Sequence, residues 1–474
     1  MSDGASNEHE ETFEAVIATV RERIDPDPDE YERLETAAEE LTAHAEAAVA
    51  DLSIEADLTQ VGSTARDTWT SGDRDIDLFV RFPPDLPRKE LETYGLKVGR
   101  EVLPDGHEEY AEHPYVKGEY EGFDVDLVPC YGVADATEIK SAVDRTPFHD
   151  SYLRERLDGE LAAEVRLFKA FLKGIGVYGS NLKTRGFSGY LTELLVVYYG
   201  GFRATLEAAA DWHPPVRLDP EAHGTAEFDD PLVVIDPTDP ERNVAAVCSP
   251  TNVARLQHHA RTFLADPTTE RFDQSPPEPL SPAEFRDHLD RRGTIPLALR
   301  FSVPDLVDDQ LYPQLRRSLN GLVEELGRRG FDVFRAETWA TEASQPTATA
   351  EAGSDDGRTA VLFLELAVAE RPSVEHHAGP PVHVRQHATG FYQKYAETDA
   401  YGPFVVEDRY VVEREREFAS AREFVESDAL FDVALGAHVE TALGAGYEVL
   451  EDEEVTELAD EFGVELARYF DPGP

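Results

Sequence analysis

The stretch Val61-Gly62-Ser63-Thr64-Ala65-Arg66 decides the fold of this protein, together with the stretch Asp75-Ile76-Asp77-Leu78-Phe79-Val80 that follows it. The first stretch contains a Gly-Ser turn. The second opens an apolar run with two carboxylates that flank one apolar residue. Because side chains alternate between the two faces of a strand, Asp75 and Asp77 are predicted to share one face while Ile76 enters the core.

A third acidic strand is predicted at Phe123-Asp124-Val125-Asp126-Leu127-Val128, where apolar and acidic residues alternate again. Carboxylates from neighbouring strands can hold two Mg²⁺ ions, because hard cations prefer oxygen ligands, and paired metals serve phosphoryl displacement. The Gly62-Ser63 turn offers a triphosphate close backbone approach, N–H groups and a hydroxyl. In this order the three elements resemble the signature of the nucleotidyltransferase superfamily.

The composition predicts a folded, strongly acidic protein of about three domains, since 474 residues exceed the size at which a single core stops growing. The net charge of −52 comes from 96 acidic against 44 basic residues, of which only eight are Lys. With 41% hydrophobic residues this is not the composition of a disordered chain. It resembles proteins of halophiles that accumulate salt. At ~1 M salt the Debye length is about 3 Å, so the charge does not exclude a nucleic-acid partner.

The cellular location is predicted to be cytoplasmic. Two cysteines, Cys130 and Cys248, cannot form a disulfide framework and suit a reducing compartment. The polar, acidic N-terminus does not read as a secretory signal. The longest apolar stretch, residues 190–202, is interrupted by polar residues and too short to cross a bilayer, so no membrane partner is expected.

The order of predicted elements places the acidic strands in the first third of the chain. Residues 1–10 are predicted to be a disordered lead, and a helix over 30–52 precedes the mixed sheet. Further predicted segments are apolar-faced helices over 160–178 and 187–202, a linker over 266–282, a loose hairpin tip over 340–356 and helical structure over 420–470.

Several blocks of the sequence resemble the archaeal (class I) CCA-adding enzymes, the tRNA nucleotidyltransferases. Blocks 141–149 and 185–191 point to this family rather than to poly(A) polymerases, DNA polymerase β or aminoglycoside nucleotidyltransferases. The resemblance covers essentially the whole chain and is carried by Gly62-Ser63-Thr64-Ala65-Arg66, Asp75-Ile76-Asp77, Val125-Asp126-Leu127-Val128-Pro129-Cys130-Tyr131, Lys140-Ser141-Ala142-Val143-Asp144-Arg145-Thr146-Pro147-Phe148-His149, Arg166-Leu167-Phe168-Lys169, Tyr178-Gly179 and Arg185-Gly186-Phe187-Ser188-Gly189-Tyr190-Leu191.

The resemblance implies a multidomain protein of class α/β and α+β. It consists of a DNA polymerase β-like nucleotidyltransferase head with a mixed sheet, a helical neck that completes the nucleotide site, and an α/β body and tail. The predicted bounds are 1–148 for the head, 149–272 for the neck and 273–474 for the body and tRNA-binding tail, with the tail at roughly 303–400.

The resemblance also implies the roles of individual residues. Catalysis and metal binding fall to Asp75, Asp77 and Asp126, with Asp124 as the competing candidate on the same strand face. In many members the first of the three carboxylates is Glu, which is one methylene longer. Binding of ATP and CTP is assigned to Gly62, Ser63, Arg66, Thr146, His149, Lys169 and Tyr178, and recognition of the base to Arg242.

The implied function is template-independent addition of CCA to the 3′ end of tRNA from CTP and ATP. Two Mg²⁺ ions assist in-line attack on the α-phosphorus and pyrophosphate is released. The partners would be tRNA that lacks all or part of CCA and a second copy of the chain. Residues 379–395 are the candidate tRNA contact, because basic and aromatic side chains gather there in an otherwise acidic chain.

Two other functions stay open at the level of sequence. The first is a poly(A) polymerase or another nucleotidyltransferase built on the same head; the length of the C-terminal region favours an RNA substrate over a small molecule. The second is an RNA-binding module without catalysis, which the presence of all three carboxylates disfavours.

Overall fold

The chain divides between residues 275 and 276, inside the acidic, Pro-rich segment 266–282. The computed structural model describes residues 2–110, 112–342 and 357–474, with side chains from residue 9 onward. Most of the hairpin tip predicted over 340–356 therefore lies outside the described residues. The domain bounds predicted at 148 and 272 stay predictions.

The first unit contains nine α-helices and eight strands among its described residues. The helices are α1 (Ser2–Ile24), α2 (Pro28–Ala50), α3 (Gly62–Ala65), α4 (Arg88–Val102), α5 (Thr146–Arg154), α6 (Gly159–Gly174), α7 (Gly189–Tyr199), α8 (Phe202–Ala210) and α9 (Pro250–Ala265). The strands are β1 (Asp57–Val61), β2 (Asp75–Phe82), β3 (His107–Tyr110), β4 (Pro114–Tyr120), β5 (Phe123–Tyr131), β6 (Val216–Leu218), β7 (Leu232–Asp236) and β8 (Asp239–Asn243).

A five-stranded mixed sheet of order β1-β2-β5-β4-β3 carries the predicted carboxylates. Only the central pair, β2 and β5, is parallel. The helices α2 and α4 pack against this sheet, and α2 begins with a capping box between Asp27 and Glu30 and with Pro28 in its first turn. This is the mixed sheet that the sequence predicts for the first part of the chain.

A largely helical core follows the head along the chain. Phe168, Phe171, Phe202 and Phe263 are buried at the centre of this core. Ser188 caps the start of α7, and Gly200 in the left-handed conformation ends it. A small sheet of order β6-β7-β8 packs against these helices.

The prediction of a disordered lead over residues 1–10 is wrong, because α1 begins at Ser2. Its apolar residues Phe13, Ile17 and Val20 recur at helical spacing and are buried in the same helical core. The high acidic content of the segment hid this apolar stripe, although Glu and Ala are good helix formers.

The second unit contains a four-stranded sheet of order β10-β11-β9-β15 and a three-stranded sheet of order β12-β14-β13, both antiparallel. The strands are β9 (Ile295–Val303), β10 (Asp332–Ala340), β11 (Arg358–Val368), β12 (Val374–Pro381), β13 (Tyr401–Val406), β14 (Arg409–Glu415) and β15 (Tyr447–Glu451). The helices are α10 (Pro282–Arg292), α11 (Asp308–Arg329), α12 (Arg385–Tyr395), α13 (Ala421–Val425), α14 (Ala437–Ala445) and α15 (Ala459–Phe470).

The prediction of helical structure over 420–470 is wrong at β15, which pairs with β9 at the edge of the larger sheet. A five-residue strand cannot be told from part of a helix by periodicity alone. Pairing with a strand about 150 residues earlier in the chain decides its conformation, and that pairing is not visible locally.

Candidate active site

The predicted carboxylates lie side by side at the beginning of the two parallel strands. Strand pairing sets Asp75 opposite Asp124 and Asp77 opposite Asp126. Ile76 is buried between the two carboxylates of β2, as the alternation predicts. Asp77 and Asp126 are partly buried, whereas Asp75 and Asp124 are exposed.

The ionised forms of Asp77 and Asp126 are both disfavoured, with burial as the largest cause. Burial and the neighbouring carboxylates of Asp126 and Asp75 raise the pKa of Asp77 to about 6. Burial also raises the pKa of Asp126, although the Lys117 ammonium, 3.3 Å away, opposes this shift. A bound cation would relieve both effects, because it favours ionised carboxylates.

The donor set suits a divalent cation such as Mg²⁺, which prefers carboxylate oxygens. Oδ1 of Asp126 is buried without a hydrogen bond of good geometry. Within residues 2–110, 112–342 and 357–474, no three acidic, His or Cys side chains form a closed cluster ready to hold a metal ion. The carboxylates thus share one strand face without being gathered around a common point.

At Gly62, the backbone of the turn between β1 and α3 lies directly against the side chain of Asp77. The φ of Gly62 is +85°, and a Cβ atom at this position would lie 2.1 Å from Oδ2 of Asp77. Glycine is therefore required for the close approach as well as for the backbone conformation. Ser63 stabilises the turn through its carbonyl, which accepts the N–H of Thr68 at 2.9 Å, while its hydroxyl has no partner among the described residues.

Arg66 is buried in an ion-pair network rather than open toward the carboxylates. Its Nε and Nη2 donate to Glu193 at 3.0 and 2.8 Å, and its Nη1 donates to Asp150 at 2.7 Å. Thr68 donates to the same Glu193 at 2.6 Å. Every guanidinium nitrogen is thus engaged, and the predicted contact of Arg66 with the triphosphate stays a prediction.

Lys169 and Tyr178 lie together beside the loop that leads into β2. The ammonium of Lys169 is 2.6 Å from Asp73, and that of Lys173 is 3.2 Å from the same carboxylate. Both ammonium groups face the ring of Tyr178, at 5.9 and 5.6 Å from its centroid. Burial and then the charges of Glu193, Asp73 and Asp75 raise the pKa of Tyr178.

His149 and Arg242 lie in a third group, around the buried carboxylate of Asp236. Thr146 begins α5, and His149 one turn later is 2.8 Å from Asp236. Arg242, on β8, donates to the same carboxylate at 2.7 Å. His149 also stacks on Tyr190, with 3.8 Å between ring centroids.

Sequence reasoning missed several residues of this site. Asp73, Glu193, Asp236 and Tyr190 contact predicted site residues that lie far away along the chain. Lys173 lies one helical turn after Lys169 and faces Tyr178. One local signal was available for Asp236, because an acidic residue ends the fully buried strand β7. No such signal existed for Glu193, which lies inside the apolar helix α7.

A search for membrane-spanning helices finds none of sufficient length and apolar character among the described residues. Cys130 and Cys248 are both buried and free, as the sequence predicts for a chain without a disulfide framework.

Comparison with known proteins divides the chain into three matched stretches. Residues 44–149 match the nucleotidyltransferase domain, residues 163–273 match the second domain of tRNA nucleotidyltransferase, and residues 292–452 match the C-terminal domain of the CCA-adding enzyme. Nucleotidyltransferase domains generally use a divalent metal. The first match covers Asp75, Asp77 and Asp126, and the second covers Lys169, Tyr178 and Arg242.

Among solved structures, a cytoplasmic RNA terminal U-transferase is 16% identical, covers 56% of this chain and 99% of its own, and aligns with a TM-score of 0.43. At that level the match carries no argument about function.

Whole-length relatives are much closer. The CCA-adding enzyme of Haloarcula marismortui is 62% identical over 98% of this chain and 99% of its own. The CCA-adding enzyme of Halorubrum lacusprofundi is 60% identical over 98% of this chain and 99% of its own. The CCA-adding enzyme of Methanosarcina barkeri is 41% identical over 95% of this chain and 97% of its own. The two closer relatives are haloarchaeal, in agreement with the acidic composition. Because it is 41% to 62% identical to these enzymes over nearly the whole of both chains, the chain belongs to the family of CCA-adding enzymes.

Proposed function

We propose that the protein extends tRNA by C, C and A from CTP and ATP, with Asp75, Asp77 and Asp126 as the ligands of two Mg²⁺ ions. CCA addition to the 3′ end of tRNA is the activity of the family to which the chain belongs. The proposal assigns this activity to particular residues and to a particular metal stoichiometry. The observation that carries it is the pairing of Asp77 with Asp126 across parallel strands, which sets two partly buried carboxylates next to each other on one strand face.

Bound Mg²⁺ would supply charge stabilisation to the attacking 3′-hydroxyl and to the phosphates of the nucleotide. The chain itself contributes an acidic strand face and the close backbone at Gly62 that fixes one side of Asp77. Asp124 is the weaker candidate ligand, since it is exposed and lies opposite Asp75 rather than Asp77.

The chain's own residues bind and orient the nucleotide. Lys169 and Lys173 place two positive charges beside Tyr178 and beside Asp73 in the loop that leads into β2, and such charges can bind the negative charge of a triphosphate. Ser63 offers a hydroxyl without a partner among the described residues. Gly62, Thr146 and His149 complete the predicted set of phosphate contacts, and Arg66 holds α3 to α5 and α7 through Asp150 and Glu193.

Base recognition is assigned to Arg242. One nitrogen of its guanidinium is held by Asp236, and the side chain is still about a third exposed. A guanidinium fixed at one end can present its remaining N–H groups to the edge of C or A, so protein can replace a template.

Contact with tRNA is assigned to residues 379–395 of the second unit. Arg385, His387, Tyr392 and Lys394 of α12 are exposed. Duplex RNA is read mainly through phosphate and 2′-hydroxyl contacts, for which such side chains are suited. The homodimer implied by the family resemblance stays a prediction.

Single-nucleotide extension of a tRNA that ends at the discriminator base tests the function. The assay contains Mg²⁺ and ~2–3 M KCl, which keeps the Debye length at or below about 3 Å, and offers CTP alone, ATP alone or both. Two additions with CTP and a third only when ATP is present are expected. Unlimited addition of A would indicate a poly(A) polymerase, and tRNA binding without any extension would indicate a module without catalysis.

A further inference from the structure

Asp236, the last residue of β7, has a fully buried carboxylate that is saturated with hydrogen bonds. Its Oδ1 accepts both the N–H and the hydroxyl of Thr238 at 2.9 Å. Its Oδ2 accepts His149 Nε2 at 2.8 Å and Arg242 Nη1 at 2.7 Å. A buried carboxylate with this many donors has no freedom to reorient without losing a hydrogen bond.

The two donors on Oδ2 come from separate elements. His149 belongs to α5, whereas Arg242 belongs to β8. Because both nitrogens bond to one oxygen atom, the carboxylate fixes the distance between the imidazole and the guanidinium. A shift of either side chain changes the geometry of the other hydrogen bond.

His149 and Arg242 are each held by Asp236 through one nitrogen atom, and their other nitrogen atoms are available to a ligand. The imidazole of His149 lies flat against Tyr190, with an interplanar angle of 11°. Its Nδ1 has no hydrogen-bond partner among the described residues, so the Nε2 contact with Asp236 leaves Nδ1 for a ligand. In the same way, no partner is found for Nε and Nη2 of Arg242 in the described part of the chain.

We propose that Asp236 is a positioning residue that holds His149 and Arg242 at a fixed spacing, so that contact with the phosphates and reading of the base are coupled through one carboxylate. The inference rests on the proposed function, which assigns His149 to the triphosphate and Arg242 to the base. Nucleotide choice then depends on a group that itself touches neither part of the nucleotide. When the correct base binds to Arg242, His149 is positioned to contact the phosphates. A wrong base weakens the contact of Arg242 with the base and the contact of His149 with the phosphates together.

The test replaces Asp236 by Asn, which keeps the shape and removes the charge and one acceptor oxygen. The matched control is Asp239→Asn, three residues further along, whose carboxylate pairs with Arg145 and contacts neither His149 nor Arg242. For each variant, kcat and KM are measured for CTP and for UTP at the first added position, on tRNA that ends at the discriminator base.

The coupling predicts that Asp236→Asn lowers the ratio of kcat/KM for CTP to that for UTP by about tenfold or more. The Asp236→Asn variant is also expected to have a higher KM for CTP than Asp239→Asn. The two variants are expected to have similar KM values for tRNA and similar thermal unfolding midpoints in molar KCl. A folded Asp236→Asn variant with an unchanged CTP/UTP ratio would overturn the proposal.

A second measurement does not depend on the stability of the Asp236 variant. His149→Ala, Arg242→Ala and the double variant form a cycle in which Asp236 is retained. The proposal predicts that the losses in kcat/KM for CTP are non-additive by at least about fivefold, because deletion of either side chain removes a donor from Oδ2 of Asp236 and thereby changes the geometry of the other hydrogen bond. Additive losses would contradict it.

The same assays separate this inference from the proposed function. Wild-type addition of C, C and A supports the function by itself, and an unchanged CTP/UTP ratio then overturns only the positioning role. A wild-type protein that adds no nucleotide would overturn both.

Discussion

Asp77 is the residue at which the geometry of the site is most tightly constrained. The backbone of Gly62 lies against its carboxylate on one side, and burial together with the carboxylates of Asp126 and Asp75 raises its pKa. A substitution at Gly62 would therefore move the carboxylate of Asp77, and a substitution of a neighbouring carboxylate would change its protonation.

Gly62→Ala is expected to abolish most of the activity. The added Cβ would meet Asp77 Oδ2 at 2.1 Å, so the carboxylate must move. Gly72→Ala is the matched control, because Gly72 has nearly the same φ, +86° against +85°, and no atom within 4 Å of its Cβ position. Each variant carries the same backbone strain of about 1–2 kcal/mol. We expect nucleotide addition to fall by about 100-fold or more in Gly62→Ala relative to Gly72→Ala; similar rates in the two variants would contradict this expectation.

The choice between Asp126 and Asp124 can be settled by a pair of isosteric variants. Asp126→Asn removes the carboxylate opposite Asp77 and is expected to reduce nucleotide addition by about 1000-fold or more. Asp124→Asn changes an exposed carboxylate opposite Asp75 and is expected to keep the rate within about tenfold of wild type. Binding of tRNA, measured in parallel by filter retention, should be preserved in both. The reverse order of rates would assign the metal to Asp124.

Some residues of the site could be predicted from sequence and others could not, and the physical reason is the range of the interaction. Alternation along β2 is local, so it placed Asp75 and Asp77 on one face and buried Ile76. Asp73 meets Lys169 across 96 positions of sequence, and His149 meets Asp236 across 87. Contacts of this kind depend on how helices pack on the sheet, which no local pattern encodes.

At the scale of elements, Asp73 ties the loop before β2 to the helix α6. It accepts the ammonium groups of Lys169 and Lys173 as well as the N–H and hydroxyl of Thr70. Although burial opposes the shift, the two lysines hold the pKa of Asp73 at about 2. The loop that precedes β2 is thus fixed to the helix that carries Lys169.

Asp73→Asn is expected to destabilise the first unit by about 1–2 kcal/mol at pH 7, after allowance for solvent screening. The folded-state pKa lies below the ordinary value, so this stabilisation is present above about pH 4 and is lost as the pH falls toward 2. Chemical denaturation in molar KCl measures the free energy of unfolding of wild type and of Asp73→Asn. The difference between the two free energies should become smaller below pH 4. The exposed Asp85→Asn serves as control; a difference that is constant with pH would contradict the assignment.

The elements themselves were predictable where the apolar pattern was long. The helices α2, α6 and α7 lie within a few residues of their predicted positions, because each carries several turns of apolar residues. The short strand β15 and the acidic helix α1 were missed. Their conformation depends on a distant strand and on a core formed by other helices.

At the scale of the whole molecule, the charge of −52 sets the conditions under which the protein is stable. So large an excess of one sign repels itself in dilute buffer, and salt screens this repulsion. We expect loss of secondary structure and of activity as KCl falls below ~1 M. Circular dichroism across a KCl series measures this, and a fold that stays fully stable in dilute buffer would contradict the halophilic interpretation.

The most direct test of the central claim counts metal ions at the strand face of Asp75, Asp77 and Asp126. Mn²⁺ is titrated into the protein with CTP in molar KCl, and free Mn²⁺ is followed by electron paramagnetic resonance, with CTP alone as the blank. The account predicts two bound ions per chain in wild type and the loss of at least one in Asp77→Ala, whereas Asp85→Ala binds as wild type does. Equal Mn²⁺ binding by wild type and Asp77→Ala would show that these carboxylates do not hold the metal.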